Sequence, residues 1–324
     1  MVTNLKEVFA KFSDEEVCRQ YLIKQRWNGC PECPHCGSNK WYSIEGGKRF
    51  KCGNNTCYKK YSVTVGTIFH ASNIPLTTWF PAMYILTAHK KGISSVQLAK
   101  DLGVTQKTAW FMMHRVRESL KDKKSDLLTG TVEIDETYMS RKYASDYKAI
   151  PPEEVEQMET TVKKNNKGAV IGMKQRDGKV IVLATISATA EVIGDTIKDH
   201  VAPDAHLMSD EALKYKRVLA DYKRDSVNHS AKEWVRNTDE FKVHTNGIEN
   251  FWSVMKRGVY GIYHQISFKH LQRYCDEFSY RYNSRTTKDG ERFLLSLQHI
   301  EGRLSYKQLV YGESKKSGEA EEIK

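Results

Sequence analysis

The sequence predicts a mixed α/β protein in which a small cysteine-rich ribbon and a pair of packed helices precede a larger sheet-based domain. Three observations predict it. Two cysteine pairs, Cys33-x2-Cys36 and Cys52-x4-Cys57, lie in a stretch rich in Gly and aromatic residues. The segment ISSVQLAKDLGVTQKTAWFMMHRVRESL, residues 93–120, reads as two helices about a glycine turn. From residue 131 onward, runs such as TVEIDETYM and VIVLATIS are interspersed with helical ones such as AEVIGDTIKDHV, as expected of a sheet covered by helices.

In chain order, residues 1–29 read as a short helix leading into the ribbon, which occupies residues 30–72 and holds the strand-like runs KRFKC and KYSVTV. Residues 73–126 form the helical domain and end in KDKKSD, a solvated linker. The sheet domain spans 131–290, with a polar, mobile insertion over 140–167 that contains Pro151-Pro152 and KKNNK. Arg176-Asp177-Gly178 marks a hairpin between two strands. The helix AEVIGDTIKDHV, the strand AHLMSD, the helical segment EALKYKRVLADYK and two long helices over 246–257 and 268–284 follow. Residues 291–324 form a C-terminal extension whose end, KKSGEAEEIK, is expected to be disordered.

The chain has 324 residues, 40% hydrophobic and 28% charged, and a net charge of +11 that points to a polyanionic partner without naming it. Its longest apolar-rich run, VIVLATISA, is about half of the roughly 18–20 residues a bilayer span requires. The start, MVTNLKEVFAKFSDEE, lacks the basic-then-apolar order of a signal peptide. A cytoplasmic, nucleoid-associated protein without a membrane partner is therefore expected.

Seven cysteines, most of them crowded into 30–57, suit a metal better than a secreted disulfide framework. Two thiolate pairs on tight turns supply the four tetrahedral ligands that structural Zn2+ prefers. Cys33, Cys36, Cys52 and Cys57 are the preferred set, because Gly37 and Gly53 follow a cysteine in each pair; Cys30 with Cys33 is a competing first pair. In the helical pair, Val96, Leu98, Ala99, Leu102, Val104, Ala109 and Met112 supply the apolar set of a helix-turn-helix, with Thr105 as N-cap. Gln106, Lys107 and Thr108 would enter a DNA groove, with Arg115 and Arg117 nearer the backbone.

Asp135 sits inside an alternating strand, where Ile134 faces the core and an Asp is out of place unless partnered. Asp210 closes the strand AHLMSD, at the carboxyl-terminal edge where α/β sheets often carry their chemistry. In HTNGIENFWSVMKRG the helical period puts Ile248, Phe251, Trp252 and Met255 on an apolar stripe and Asn246, Glu249, Ser253 and Lys256 on a polar one. Three carboxylates from two strands and a helix could hold two Mg2+ or Mn2+ ions about 4 Å apart for attack on a phosphodiester, with Lys256 gripping a phosphate. Glu133, Glu136 and Glu211 are acidic neighbours that periodicity does not exclude. His244, Tyr263 and His264 could contact DNA or simply pack, whereas Phe251 and Trp252 read as core anchors.

The segments CPHCG, CYKKYSVTVGTIFH, IPLTTWF, VEIDETYM, LMSDEALKY and HTNGIENFWSVMKRGVYGIYHQISFKHLQRYCDEFSYRYN together resemble insertion-sequence transposases of the Merlin-related group, which carry a zinc ribbon ahead of an RNase H-like DDE core. The resemblance covers nearly the whole chain. It implies an RNase H-like mixed sheet and metal-dependent cleavage and strand transfer at terminal inverted repeats. It also implies a homodimer or higher multimer that brings two transposon ends and target DNA together. Matched by position, Asp135 and Asp210 are the first two acids and the NGIENFW segment carries the third, Glu249 or, as in some members with a non-acidic residue, Asn246. Lys256 follows on the same helix, with Arg257 beside it toward DNA. A regulator with an inert core and a nuclease that only hydrolyses share the same residues and stand as alternatives.

Overall fold

The computed structural model describes residues 2–122, 126–141, 167–211, 215, 219–239 and 241–311. The expected insertion over 140–167 lies outside the described residues but for 140, 141 and 167, as does the tail KKSGEAEEIK and, in the helical segment EALKYKRVLADYK, residues 212–214 and 216–218. The chain divides into two compact units, one of Met1–Leu86, Ser95–Ser119 and Asp289–Lys324, the other of Thr87–Ser94 and Leu120–Lys288.

The first unit begins with α1 (Leu5–Lys11) and α2 (Glu15–Trp27). These are two helices where the sequence suggested one, because the Asp14 carboxylate accepts the Glu16 N–H at 2.6 Å and starts a new helix. The ribbon is an antiparallel sheet of β1 (Trp41–Ile44), β2 (Arg49–Cys52) and β3 (Lys60–Tyr61), with Trp41 opposite Cys52 and Phe50 opposite Tyr61. Helices α3 (Leu76–Ala88), α4 (Ser95–Leu102) and α5 (Gln106–Ser119) follow. Between α4 and α5 the chain turns through Gly103 at φ +65°, a conformation glycine adopts without steric cost. The Thr105 hydroxyl then accepts the Thr108 N–H at 3.2 Å and starts α5. Leu98, Ala99, Ala109 and Met112 are buried as expected, but Val96 is 54% exposed and does not belong to the packed set.

The second unit is a five-stranded sheet of β4 (Thr131–Arg141), β5 (Lys167–Gln175), β6 (Val180–Thr185), β7 (His206–Asp210) and β8 (Lys223–Val227), with α6 (Ala190–His200) between β6 and β7. The spatial order is β6-β5-β4-β7-β8, antiparallel from β6 to β4 and parallel from β4 to β8. This mixed sheet is the RNase H-like core. A small hairpin of β9 (Arg236–Asn237) and β10 (Lys242–Val243) leads to α7 (Asn246–Gly258), a π-helical turn over Val259–Tyr263, and α8 (Phe268–Asn283). The π-turn had no counterpart in the sequence reading, which ended the helix at residue 257.

Each face of the sheet is covered. Val132, Ile134, Ile171, Met173 and Leu207 pack with Ile193 and Ile197 of α6. Val170, Val180 and Val182 pack with Ile248, Phe251, Trp252 and Met255 of α7 and Leu271 of α8. Burying each such side chain stabilises by about 1.5–3 kcal/mol, so the apolar stripe of α7 is enough to fix that helix on the sheet. Alternation along β4 then has a consequence: with Val132 and Ile134 turned to α6, Glu133 and Asp135 turn toward α7. The chain closes with α9 (Asp289–Ser296) and α10 (Tyr306–Tyr311) in the first unit. No helix among the described residues is long and apolar enough to cross a membrane.

Candidate active site and metal centre

The Sγ atoms of Cys33, Cys36, Cys52 and Cys57 all lie within 4.8 Å of one another. Cys33 and Cys57 are 3.8 Å apart and Cys36 and Cys52 3.6 Å. Sulfurs at the corners of a tetrahedron with zinc–sulfur bonds of about 2.3 Å stand about 3.8 Å apart. The set is therefore consistent with a structural zinc. Two turns build it: the Gly37 N–H donates to the Cys33 carbonyl at 2.8 Å with Gly37 at φ +71°, and the Asn54 N–H points at the Cys52 sulfur at 3.4 Å. Cys30 is exposed and stands outside the group.

In the second unit Asp135 lies opposite Gly172 of β5. A Cβ on Gly172 would lie 2.4 Å from Trp252 Cζ2, so the absent side chain is what admits the indole. From that seat Trp252 Nε1 donates to Asp135 Oδ2 at 3.0 Å. On the other side, β4 and β7 pair in parallel as far as Glu133 beside Met208, two residues short of Asp135 on β4 and of Asp210, the last residue of β7. Burial pushes the Asp135 carboxyl up to about 7; the Trp252 hydrogen bond lowers it, Asp210 and Glu249 raise it, and Lys256 lowers it.

Helix α7 buries Ile248, Phe251, Trp252 and Met255 and turns Glu249 and Lys256 the other way. An open groove of about 760 Å3 is lined by Asp135, Glu249, Trp252, Lys256, Arg257 and Tyr260, among others. Asn246, exposed at the start of α7, is not among its lining residues. Glu249 Oε1 accepts the Thr245 hydroxyl at 2.8 Å and stands 3.2 Å from His229 Nε2, whose ring is tilted against Trp234 at 5.0 Å. Among the described residues the cysteines are the one group of three or more His, Cys, Asp or Glu closed to within 4.8 Å, so the carboxylates are more widely spaced than the thiols.

The acidic neighbours have their own partners. Glu133 is 1% exposed and accepts the Ile248 N–H at 2.9 Å. Glu136 accepts the Tyr215 hydroxyl, and Glu211 accepts Asn228 Nδ2 at 2.6 Å. Tyr263 donates to Glu277 at 2.6 Å and packs on Tyr274, while His244 lies 3.3 Å from Glu133; His264 is exposed. Sequence reasoning missed the Trp252–Asp135 hydrogen bond, His229 and the role of Glu133. For Trp252 the signal was the glycine within the apolar strand AVIGM; for His229 no spacing pointed to it.

Of the residues expected near DNA in the helical pair, Gln106 and Lys107 are exposed and Thr108 is partly so. Gln106 Nε2 donates to Ser95 Oγ at 2.8 Å, and Lys107 Nζ stands 4.9 Å over the Tyr306 ring. Arg115 and Arg117 correct the sequence reading: they are 4% and 0% exposed. The Arg115 guanidinium donates to the His70 carbonyl and lies over Phe111 at 5.2 Å, and burial lowers it to about 10. From Met112 to Arg117 α5 is buried on every side, so both arginines, about 200° apart around the helix, are enclosed.

A sheet of RNase H-like order on a chain with a four-cysteine ribbon is the architecture of DDE transposases with a zinc ribbon. Residues 127–283 match the ISXO2-like transposase domain and residues 13–60 the transposase zinc-ribbon domain. The chain belongs to the IS1595 family of transposases. It is 30% identical over 131 residues to an uncharacterized protein in the transposable element ISH50 of Halobacterium salinarum; the match spans 40% of this chain and 43% of that protein. Among solved structures it is similar to a chain of the Mos1 strand transfer complex, at 13% identity and a TM-score of 0.29 over 68% of this chain and 74% of that one. It is also similar to a chain of a simian T-cell lymphotropic virus intasome bound to a PP2A regulatory subunit, at 11% identity and a TM-score of 0.27 over 71% and 75%.

Proposed function

We propose that the chain binds the terminal inverted repeats of an insertion sequence, cleaves the DNA strands there and transfers their 3′ ends to target DNA. The observation that carries this reading is the open groove lined by Asp135, Glu249 and Lys256, from a strand and a helix, with Asp210 at the end of the neighbouring strand raising the Asp135 carboxyl. Like charges gathered around a half-buried carboxyl cost free energy unless a cation joins them, and an all-oxygen donor set suits Mg2+ or Mn2+. Asp135, Asp210 and Glu249 would be the residues that hold such ions. When bound, such ions activate a water or 3′-hydroxyl and stabilise the leaving oxygen of an in-line displacement.

The protein's own groups do the rest. The Trp252 N–H fixes the rotamer of Asp135, and Thr245 fixes that of Glu249. Lys256 holds the phosphate beside the carboxylates, and Arg257 extends the cationic edge of the groove. Gln106, Lys107 and Thr108 read the repeat, and a homodimer or larger multimer brings two ends together at the nucleoid in the cytoplasm. Incubation with DNA carrying the flanking inverted repeats and Mg2+ tests the reading. Joined products support it; nicks without joining indicate a nuclease, and binding without cleavage a regulator, and either result rejects strand transfer.

A further inference from the structure

The first turn of a helix leaves backbone N–H groups without intrahelical partners. Thr245, in the N-cap position of α7, makes no side-chain cap; its hydroxyl goes to Glu249 instead. The acceptor comes from another strand: Glu133 Oε2 takes the Ile248 N–H at 2.9 Å across 115 positions of sequence. Glu133 Oε1 lies 3.2 Å from Arg176 Nε, and the same guanidinium donates to the carbonyls of Lys242 at 2.7 Å and His244 at 3.1 Å. One buried carboxylate therefore ties down both the first turn of α7 and the strap that leads into it.

We propose that Glu133 is a positioning residue, a cap supplied by β4 that sets the register in which α7 presents Glu249 to Asp135. The inference rests on the reading of the groove as the reacting site. Glu133 and Asp135 lie two residues apart on one face of β4, and Ile248 immediately precedes Glu249, so the cap and the two carboxylates share one short frame. Slipping α7 by one residue would rotate Glu249 by about 100°. Gly247 is the companion requirement: a Cβ there would lie 2.6 Å from Glu133 Oε2 and 2.9 Å from Lys174 Nζ, so a side chain displaces the cap.

The test uses the full-length zinc-loaded chain and its Glu133→Gln, Glu133→Ala and Gly247→Ala variants. Mn2+ affinity is read by electron paramagnetic resonance and protection of the Ile248 amide by hydrogen exchange. Glu133→Gln keeps an oxygen acceptor and is expected to retain Mn2+ affinity within about threefold, whereas Glu133→Ala and Gly247→Ala lose about tenfold or more. All three should keep the far-UV spectrum of the folded sheet. If Glu133→Ala does not fold, Gly247→Ala decides, because helix propensity alone makes it neutral or stabilising. Wild-type Mn2+ affinity in the folded Ala variants overturns the proposal. A wild-type protein that binds no Mn2+ rejects the functional reading instead; the cap then stands or falls on whether the Ile248 amide loses its protection in the Ala variants.

Discussion

The four cysteines and the three carboxylates proposed to bind metal are assembled by opposite routes. The thiols come from two short turns within residues 33–57, and their sulfurs close to within 4.8 Å. The carboxylates span residues 135 to 249 and depend on groups that are not donors: the space at Gly172, the Trp252 indole and the Glu133 cap. A site closed by local turns needs only its ligands. A site built across a sheet needs its supports as much as its ligands.

The largest expected effect breaks the local site. Cys36→Ser or Cys52→Ser, or a strong chelator, should release the metal and unfold the ribbon, since zinc contributes on the order of 10 kcal/mol to small metal-held domains. Zinc analysis together with hydrogen exchange over residues 33–61 checks this, and the sheet of the second unit should keep its protection. Cys30→Ser should retain a full equivalent of zinc, because Cys30 stands outside the cluster.

Next comes a support of the assembled site. Gly172→Ala puts a methyl group into the space taken by Trp252 and should cost about 1–3 kcal/mol in urea unfolding, as overpacking does. Trp252→Phe fits the same space but loses the hydrogen bond to Asp135. It should cost about 1–2 kcal/mol and slow DNA cleavage by more than that loss of stability explains. Equal cleavage rates in Trp252→Phe and wild type would remove Trp252 from the support of Asp135. The smallest effect concerns the helical pair: Lys107→Ala should weaken DNA binding across all sequences and lower the salt dependence by about one unit, measured by titration at several ionic strengths.

The same contrast governs what was legible in the sequence. Cysteine spacing pointed to the cluster, and the glycine after Cys36 separated the preferred pairing from Cys30. Alternation in VEIDETYM placed Ile134 and Asp135 on opposite faces, and the helical period of NGIENFWSVMKRG gave the buried stripe of α7. Periodicity reports only which face a residue takes. It could not reveal that Glu133, on the same face as Asp135, caps a helix 115 positions away, nor that His229 approaches Glu249, because those contacts follow from tertiary packing. Arg115 failed for the related reason that a cation on a helix beside a glycine turn reads as exposed until its apolar neighbours close over it.

The most direct test of the assembled site is cleavage of an end-labelled inverted-repeat substrate in Mg2+ by Asp135→Asn, Asp210→Asn, Glu249→Gln and Asn246→Ala proteins of matched stability. The first three should bind the DNA and leave it uncut, while Asn246→Ala should still cleave. Cleavage by Glu249→Gln together with its loss in Asn246→Ala would contradict the assignment and move the third position of the site to Asn246.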